Sequence, residues 1–260
     1  MQLLYAQPHV SGIQHLNRTQ RQRTMHGDEL GFLGGLRSTT VTQSTYDRIK
    51  LDIVFGKLSP GRKLTLQLMK KEYNASVSIL RETLNRLSSD GFVTASPQRG
   101  FFVTPVSKQD LIEIAGLRTL LECHAITESI QNGDGNWEGR IVAAHHKLKI
   151  EETKMLGGNE TDKALWKQRD WEFHLATISA CNSTNLLSLH AIIFAKYLRY
   201  QFLVLTNRGE IAAMEHQQLC DAVLDRNSNK AGSILTQHVN GGLNHALEAM
   251  WPSSSSTVES

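Results

Sequence analysis

In residues 74–93, NASVSILRETLNRLSSDGFV, the apolar positions Val77, Leu80, Leu84 and Leu87 fall at i, i+3, i+7 and i+10. That spacing predicts one stripe of an α-helix, with Ser78, Glu82, Asn85 and Arg86 opposite and Arg81 at the border. Upstream, organisation begins at Tyr46. TYDRIKLDIVFGKL sets Ile49, Ile53 and Val54 at helical spacing and closes at Gly56. SPGRKL reads as a turn around Pro60-Gly61, and LQLMKKEYN as a short helix ending before Ala75-Ser76. Downstream, Phe92-Val93-Thr94 and Phe101-Phe102-Val103-Thr104 flank SPQRG and predict a β-hairpin.

From Ser107 the periodicity is helical throughout. SKQDLIEIAGLRTLLECHAITESI opens on a serine cap and repeats Leu111, Ile114, Leu117, Leu121 and Ile126. NGDGNWEG reads as a loop and IVAAHHKLKIEETKML as a helix that GGNETD breaks. ALWKQRDWEFHLATISA, NLLSLHAIIFAKYLRYQFLVL and EIAAMEHQQLCDAVL are three further helices. A last one, AGSILTQHVNGGLNHALEAM, is open to bending at Gly241-Gly242. The fold class is mostly α. A winged helix-turn-helix of three helices plus a hairpin wing, over 46–105, joins an antiparallel bundle of about six helices over 106–251. Residues 1–45 read as a flexible extension, in which Met25 is an alternative start, and 252–260 as a disordered tail.

Charge sharpens the division. The chain of 260 residues carries a net +3, distributed as +2 over 1–45, +5 over 46–105 and −4 over 106–260. A basic first unit and an acidic second one imply that only the first meets a polyanion. Cys123, Cys181 and Cys220 lie far apart with no CxxC pair, which argues against a disulfide framework and fits a reducing cytoplasm. No apolar run approaches the roughly 20 residues of a membrane span.

Residues 46–104 resemble the winged helix-turn-helix of GntR-type bacterial transcription regulators. The match rests on Gly56, Pro60-Gly61 and Leu64, then Ser76, Leu80-Arg81-Glu82, Leu84, Arg86-Leu87 and Asp90-Gly91-Phe92-Val93. Pro97, Arg99-Gly100 and Val103 complete it in the wing. The resemblance implies a helix whose N-terminus enters the major groove of double-stranded DNA. There Ser76 and Ser78 would offer hydroxyls and Arg81 would reach a guanine edge. Arg99 and Gly100 would approach the backbone from the wing, and Lys70 and Lys71 would meet phosphates. Gln67 stands where relatives often place an arginine. Val77 does too, and its position in the stripe predicts core packing.

In the second unit RDWEFH puts Asp170 and His174 at i, i+4 on one helix face, while His216 and His238 sit among apolar neighbours on later helices. One carboxylate and three imidazoles converging in a bundle would suit a divalent metal, Zn²⁺, Ni²⁺ or Mn²⁺. Spacing alone leaves ordinary core histidines as the alternative. Residues 107–250 resemble the all-helical FCD effector domain of the FadR-like branch of GntR regulators. Its metal-binding members pair Asp-x-x-x-His with one histidine from each of two later helices, which here implies Asp170, His174, His216 and His238. Arg118 in GLRTLLE matches the family's LRxxLE and implies a clamp for an acidic effector. A salt bridge to Glu122 is the ordinary alternative. His145, His146, His190 and His245 match nothing and read as surface or packing residues.

These readings lead to a homodimeric, ligand-responsive regulator on an inverted-repeat operator. The run ALWKQRDWEFHLATISACNSTNLL and KYLRYQFLVL resemble the carbon-starvation-induced, glutarate-responsive type. That leans the effector toward a small organic acid such as a dicarboxylate, with repression relieved by ligand as the family's usual behaviour. Two alternatives remain at this stage. One is a metal-dependent hydrolase, against which stands the absence of an HExxH-type base. The other is a DNA-binding protein whose helical unit only dimerises.

Overall fold

The structure, a computed structural model, describes residues 40–158, 162–204 and 208–252. The expected extension up to residue 39, with its alternative start, and the expected tail from 253 lie outside the described residues. The first helix, α1 (Val41–Val54), starts five residues before Tyr46 because the Thr40 side chain caps it, accepting from the Gln43 N–H. Strand β1 (Lys63–Leu64) follows, then α2 (Leu66–Tyr73), α3 (Val77–Ser89), β2 (Val93–Ser96) and β3 (Gly100–Val103).

Where the sequence predicts a turn at SPGRKL and a two-stranded hairpin, the sheet has three strands in the order β1-β3-β2. Lys63 pairs with Phe102, and β2 pairs antiparallel with β3 from Val93↔Val103 to Ser96↔Gly100. Two residues of β1 are too few to show a period, so only tertiary pairing reveals the strand.

The stripe of α3 also differs from expectation at one end. Leu80, Leu84 and Leu87 are fully buried, but Val77 is 41 % exposed and Thr83 takes the fourth inward place. The first turn of α3 projects beyond the head's core, so its valine stands on the outer side with Ser78 and Arg81.

Among the described residues the second unit has six helices: α4 (Lys108–Asn132), α5 (Gly135–Leu156), α6 (Lys163–Ile178), α7 (Thr184–Val204), α8 (Glu210–Leu224) and α9 (Ser228–Met250). Most of the expected loop NGDGNWEG is the start of α5. Asp134 caps it by accepting from the Trp137 N–H, and the Trp137 ring is buried with its Nε1–H donating to the Ala176 carbonyl. On α4, Leu117 faces outward, 46 % exposed, and the charged Arg118 and Glu122 occupy the inner face instead. Helix α4 packs on α9, α7 and α6, while α5 lies against α6 and α8.

Helix α9 runs without a break through Gly241-Gly242. The pair makes room for neighbouring side chains. A Cβ on Gly241 would strike the Arg208 guanidinium, and one on Gly242 would strike the Tyr197 hydroxyl. That hydroxyl donates to the Val239 carbonyl at 2.9 Å and is walled in, so it cannot swing aside freely. Gly242→Ala is therefore expected to destabilise by about 1–3 kcal/mol through overpacking, outweighing the ~0.5–1 kcal/mol that alanine normally gains in a helix. Chemical denaturation checks the sign: a stabilised variant would refute this account of the glycine pair.

The head's core does not close on itself. Trp171 from α6 and Phe194, Ala195 and Leu198 from α7 belong to the same buried cluster as Ile49, Ile53, Leu80 and Phe92. Phe55 meets Phe202 edge to face at 4.6 Å, and Arg199 donates to the Thr104 carbonyl. Helix α7 thus has one side in each unit.

Candidate metal centre and nucleic-acid interface

Asp170 and His174 lie one turn apart on α6, His216 is mid-way along α8, and His238 is on α9. One ligand atom from each lies within 4.8 Å of the others. His174 is fully buried and Asp170 and His216 nearly so, and Asp170, His216 and His238 border one cavity. Each imidazole has a carboxylate behind it from another residue. His174 Nδ1 is 3.2 Å from Glu122, His216 Nδ1 2.7 Å from Glu152 and His238 Nδ1 2.9 Å from Glu215. At His216 and His238 the hydrogen-bonded carboxylate holds the proton on Nδ1 and turns the Nε2 lone pair inward, the arrangement that orients and strengthens a metal-binding histidine, whereas His174 Nδ1 lies beside Glu122 without a hydrogen bond.

The inner nitrogens of His174 and His216 make no hydrogen bond and lie 3.7 and 3.2 Å from one oxygen of Asp170. Orphaned buried acceptors facing a carboxylate are what a cation would satisfy. Three nitrogens and one oxygen fit a borderline divalent ion with coordination positions to spare, so this cluster could hold a divalent metal.

Without a metal, the web keeps its carboxylates charged. Burial would raise the Asp170 carboxyl, yet Lys167 and His216 hold it well below the usual carboxylate range. Burial likewise opposes the charge of Glu122, but Arg118 and His174 outweigh it and hold this carboxyl low. Burial pushes His238 down to about 3. For His216 burial acts in the same direction, but the neighbouring carboxylates of Asp170 and Glu152 win and raise it to about 9, so a metal there would displace a proton.

Arg118 is buried and donates from Nε to Glu122 at 2.7 Å, so the ordinary salt bridge forms. One of its terminal nitrogens, Nη2, has no partner and stays free for an acceptor. Glu122 also meets His190 Nε2 at 2.8 Å, and the His190 ring stacks on Trp171 at 5.4 Å. His190, expected as a surface or packing residue, is therefore part of the layer behind the cluster.

On the head, Gln67, Lys70, Lys71, Ser76, Ser78, Arg81, Arg99 and Gly100 are all exposed. Gln67, Arg81 and Gly100 share one concavity with Lys63 and Phe101, which brings helix and wing to the same surface. Lys63 carries no sequence signal of its own and reaches this place through β1. Lys70 and Lys71 sit in the last turn of α2, away from that concavity. The Ser76 hydroxyl is engaged in capping α3, where it accepts from the Ile79 N–H. Arg86 turns away from this surface, lying 4.1 Å over the Tyr46 ring and donating to Gln43.

Comparison with known proteins agrees with both units. Residues 41–103 match the family described as bacterial regulatory proteins, gntR family, and residues 113–241 match the FCD domain. The chain is 31 % identical to the uncharacterized HTH-type transcriptional regulator BphR of Paraburkholderia xenovorans, over 87 % of this chain and 95 % of that protein.

The chain belongs to the GntR family.

It is also 30 % identical to the HTH-type transcriptional repressor GlaR of Escherichia coli, over 77 % of this chain and 93 % of that one. Its fold is similar to that of E. coli McbR/YncC, with a TM-score of 0.70 at 18 % identity, covering 81 % of this chain and 99 % of that structure. GntR regulators bind DNA operators through the first unit and small-molecule effectors through the FCD domain. This GntR-family chain is a transcription regulator rather than a hydrolase. Among the described residues no helix is long and apolar enough to cross a membrane.

Proposed function

We propose that this GntR-family regulator is a metal-loaded sensor of a small organic acid, and that it acts in the cytoplasm as a homodimeric repressor on an inverted-repeat operator. The observation that carries the reading is the convergence of Asp170, His174, His216 and His238, with Glu122, Glu152 and Glu215 behind the histidines. A unit that only dimerised would have no use for that buried polar web. The acid's carboxylate would complete the metal's coordination and meet the free nitrogen of Arg118. Gln67, Ser78, Arg81, Arg99 and Gly100 would face the groove, with Lys70 and Lys71 on phosphates.

Metal-bound acid would draw on α6, α8 and α9, and Trp171 on α6 already lies in the head's core. An acid that binds one arrangement of these helices more tightly than another shifts the spacing of the two heads. The relative named as a repressor supports the sign.

The test is to recover operator fragments from host DNA and measure their affinity with metal-loaded protein. Binding weakened by a small acid only in the metal-loaded form is expected; indifference to every acid would overturn the proposal. In the same assay Arg81→Ala should weaken operator binding roughly 5- to 150-fold, and unchanged affinity would remove α3 from the groove.

A further inference from the structure

The first turn of α3 (Val77–Ser89) turns Val77 and Ser78 away from the head's core, and Arg81 follows on the same outer side. Ser76, just before them, is occupied in capping the helix, where its hydroxyl accepts from the Ile79 N–H. Arg81 stands one turn after Val77, at i+4, and lines the concavity that Lys63 and Gln67 share with Gly100 of the wing. The outer face of this turn therefore opens on an apolar side chain and continues through a hydroxyl to a guanidinium.

Val77 has no part in holding the head together. Leu80, Leu84 and Leu87 join the buried cluster from the inward side of α3, and Val77 is absent from it. Its chemistry acquires a use only against the DNA that this unit binds. In the major groove the base edges present hydrogen-bonding groups, and the one apolar group among them is the C5-methyl of thymine. A valine laid on that methyl takes both surfaces out of water. Laid on a guanine, adenine or cytosine edge, it strips water from donors and acceptors and returns no hydrogen bond. One side chain thus favours a single base and penalises the other three.

We infer that Val77 is a specificity-determining residue that packs on the C5-methyl of a thymine in each operator half-site, one or two base pairs from the guanine read by Arg81. The register follows from the helix, since side chains four residues apart are roughly 5–6 Å apart and successive bases on a strand about 3.4 Å. This rests on the proposed placement of α3 in the major groove and adds the base that its first residue selects.

The test uses the full chain and duplexes that it selects from a random pool. The selected sequences should carry a thymine at that register. Replacing it with deoxyuridine, which lacks only the methyl, should weaken binding roughly fourfold per half-site, the worth of one buried methyl group. Val77→Ala removes two methyls and should bind the thymine and deoxyuridine duplexes to within about twofold of each other. Val77→Arg should move the selected base from thymine to guanine. Both variants should unfold at the midpoint of the parent, because the position lies outside the core. Absence of a methyl-dependent thymine near the guanine, or a deoxyuridine penalty that persists in Val77→Ala, would overturn the inference. Arg81→Ala separates it from the reading it rests on. If that variant binds weakly while no thymine methyl matters, α3 stays in the groove and only Val77 loses its role. Indifference to both changes would end both.

Discussion

Adding Zn²⁺ back to metal-stripped protein should raise its thermal midpoint by roughly 8–16 °C. An ion present at about a thousand times its dissociation constant stabilises the folded state by about 4 kcal/mol. For a chain of this size each kcal/mol is worth about 2–4 °C. The size of the effect follows from where the ligands sit. Asp170 and His174 on α6, His216 on α8 and His238 on α9 are brought together only by folding, so the unfolded chain has no comparable site. Metal-free, the cluster keeps two buried imidazole nitrogens unbonded next to a carboxylate. Scanning calorimetry on the stripped and reloaded protein reads the shift, and Asp170→Ala should abolish most of it. A shift below about 2 °C, or an equal shift in Asp170→Ala, would show that zinc binds elsewhere or not at all.

The second large effect is expected at Trp171. Its ring packs on Phe194 at 4.7 Å, stacks on His190 and belongs to the head's core although it is carried by a bundle helix. Trp171→Ala should cost about 3–5 kcal/mol, the range for removing a large buried aromatic. The loss should not be confined to α6. Hydrogen exchange is expected to rise in α1 and α3, because the head would lose a wall of its core. A cost below about 1 kcal/mol, or exchange in the head that stays as it was, would mean that Trp171 does not join the two units.

Much of this architecture is legible in the sequence because the signals are local. Helix periodicity, the Pro60-Gly61 turn and the SPQRG hairpin mark the head, and serine or aspartate caps mark several helix starts. The departures have tertiary causes. β1 exists only because Lys63 and Leu64 find β3, and Val77 faces out because the first turn of α3 overshoots the core. Likewise NGDGNWEG, rich in turn-forming residues, is drawn into α5 by the Asp134 cap and the burial of Trp137.

At the site, Asp170 and His174 are legible from their spacing. Their meeting with His216 and His238 is suggested by family resemblance alone. The residues behind them escape pattern reading, though a signal exists. Glu152 continues the inward stripe Ile141, Ala144 and Leu148, and Arg118 and Glu122 continue that of Leu111 and Ile114. A charge on an apolar stripe is a position where folding must supply a partner, and in each case it does. Lys167 and His190 gave less warning, since long helices carry many such residues on outward faces.

The shared core has a consequence for how such proteins diversify. Family matches cover 41–103 and 113–241 as separate stretches, which invites the view that heads and sensors can be recombined freely. Here the seam does not follow the linker. A head transplanted by cutting between residues 103 and 108 would leave Trp171, Phe194, Ala195 and Leu198 behind with the donor's sensor. The recipient would then have to offer a matching surface on its own equivalents of α6 and α7. Exchange between regulators is therefore constrained by a handful of side chains outside the DNA-binding segment, and heads and sensors must change in step along that seam.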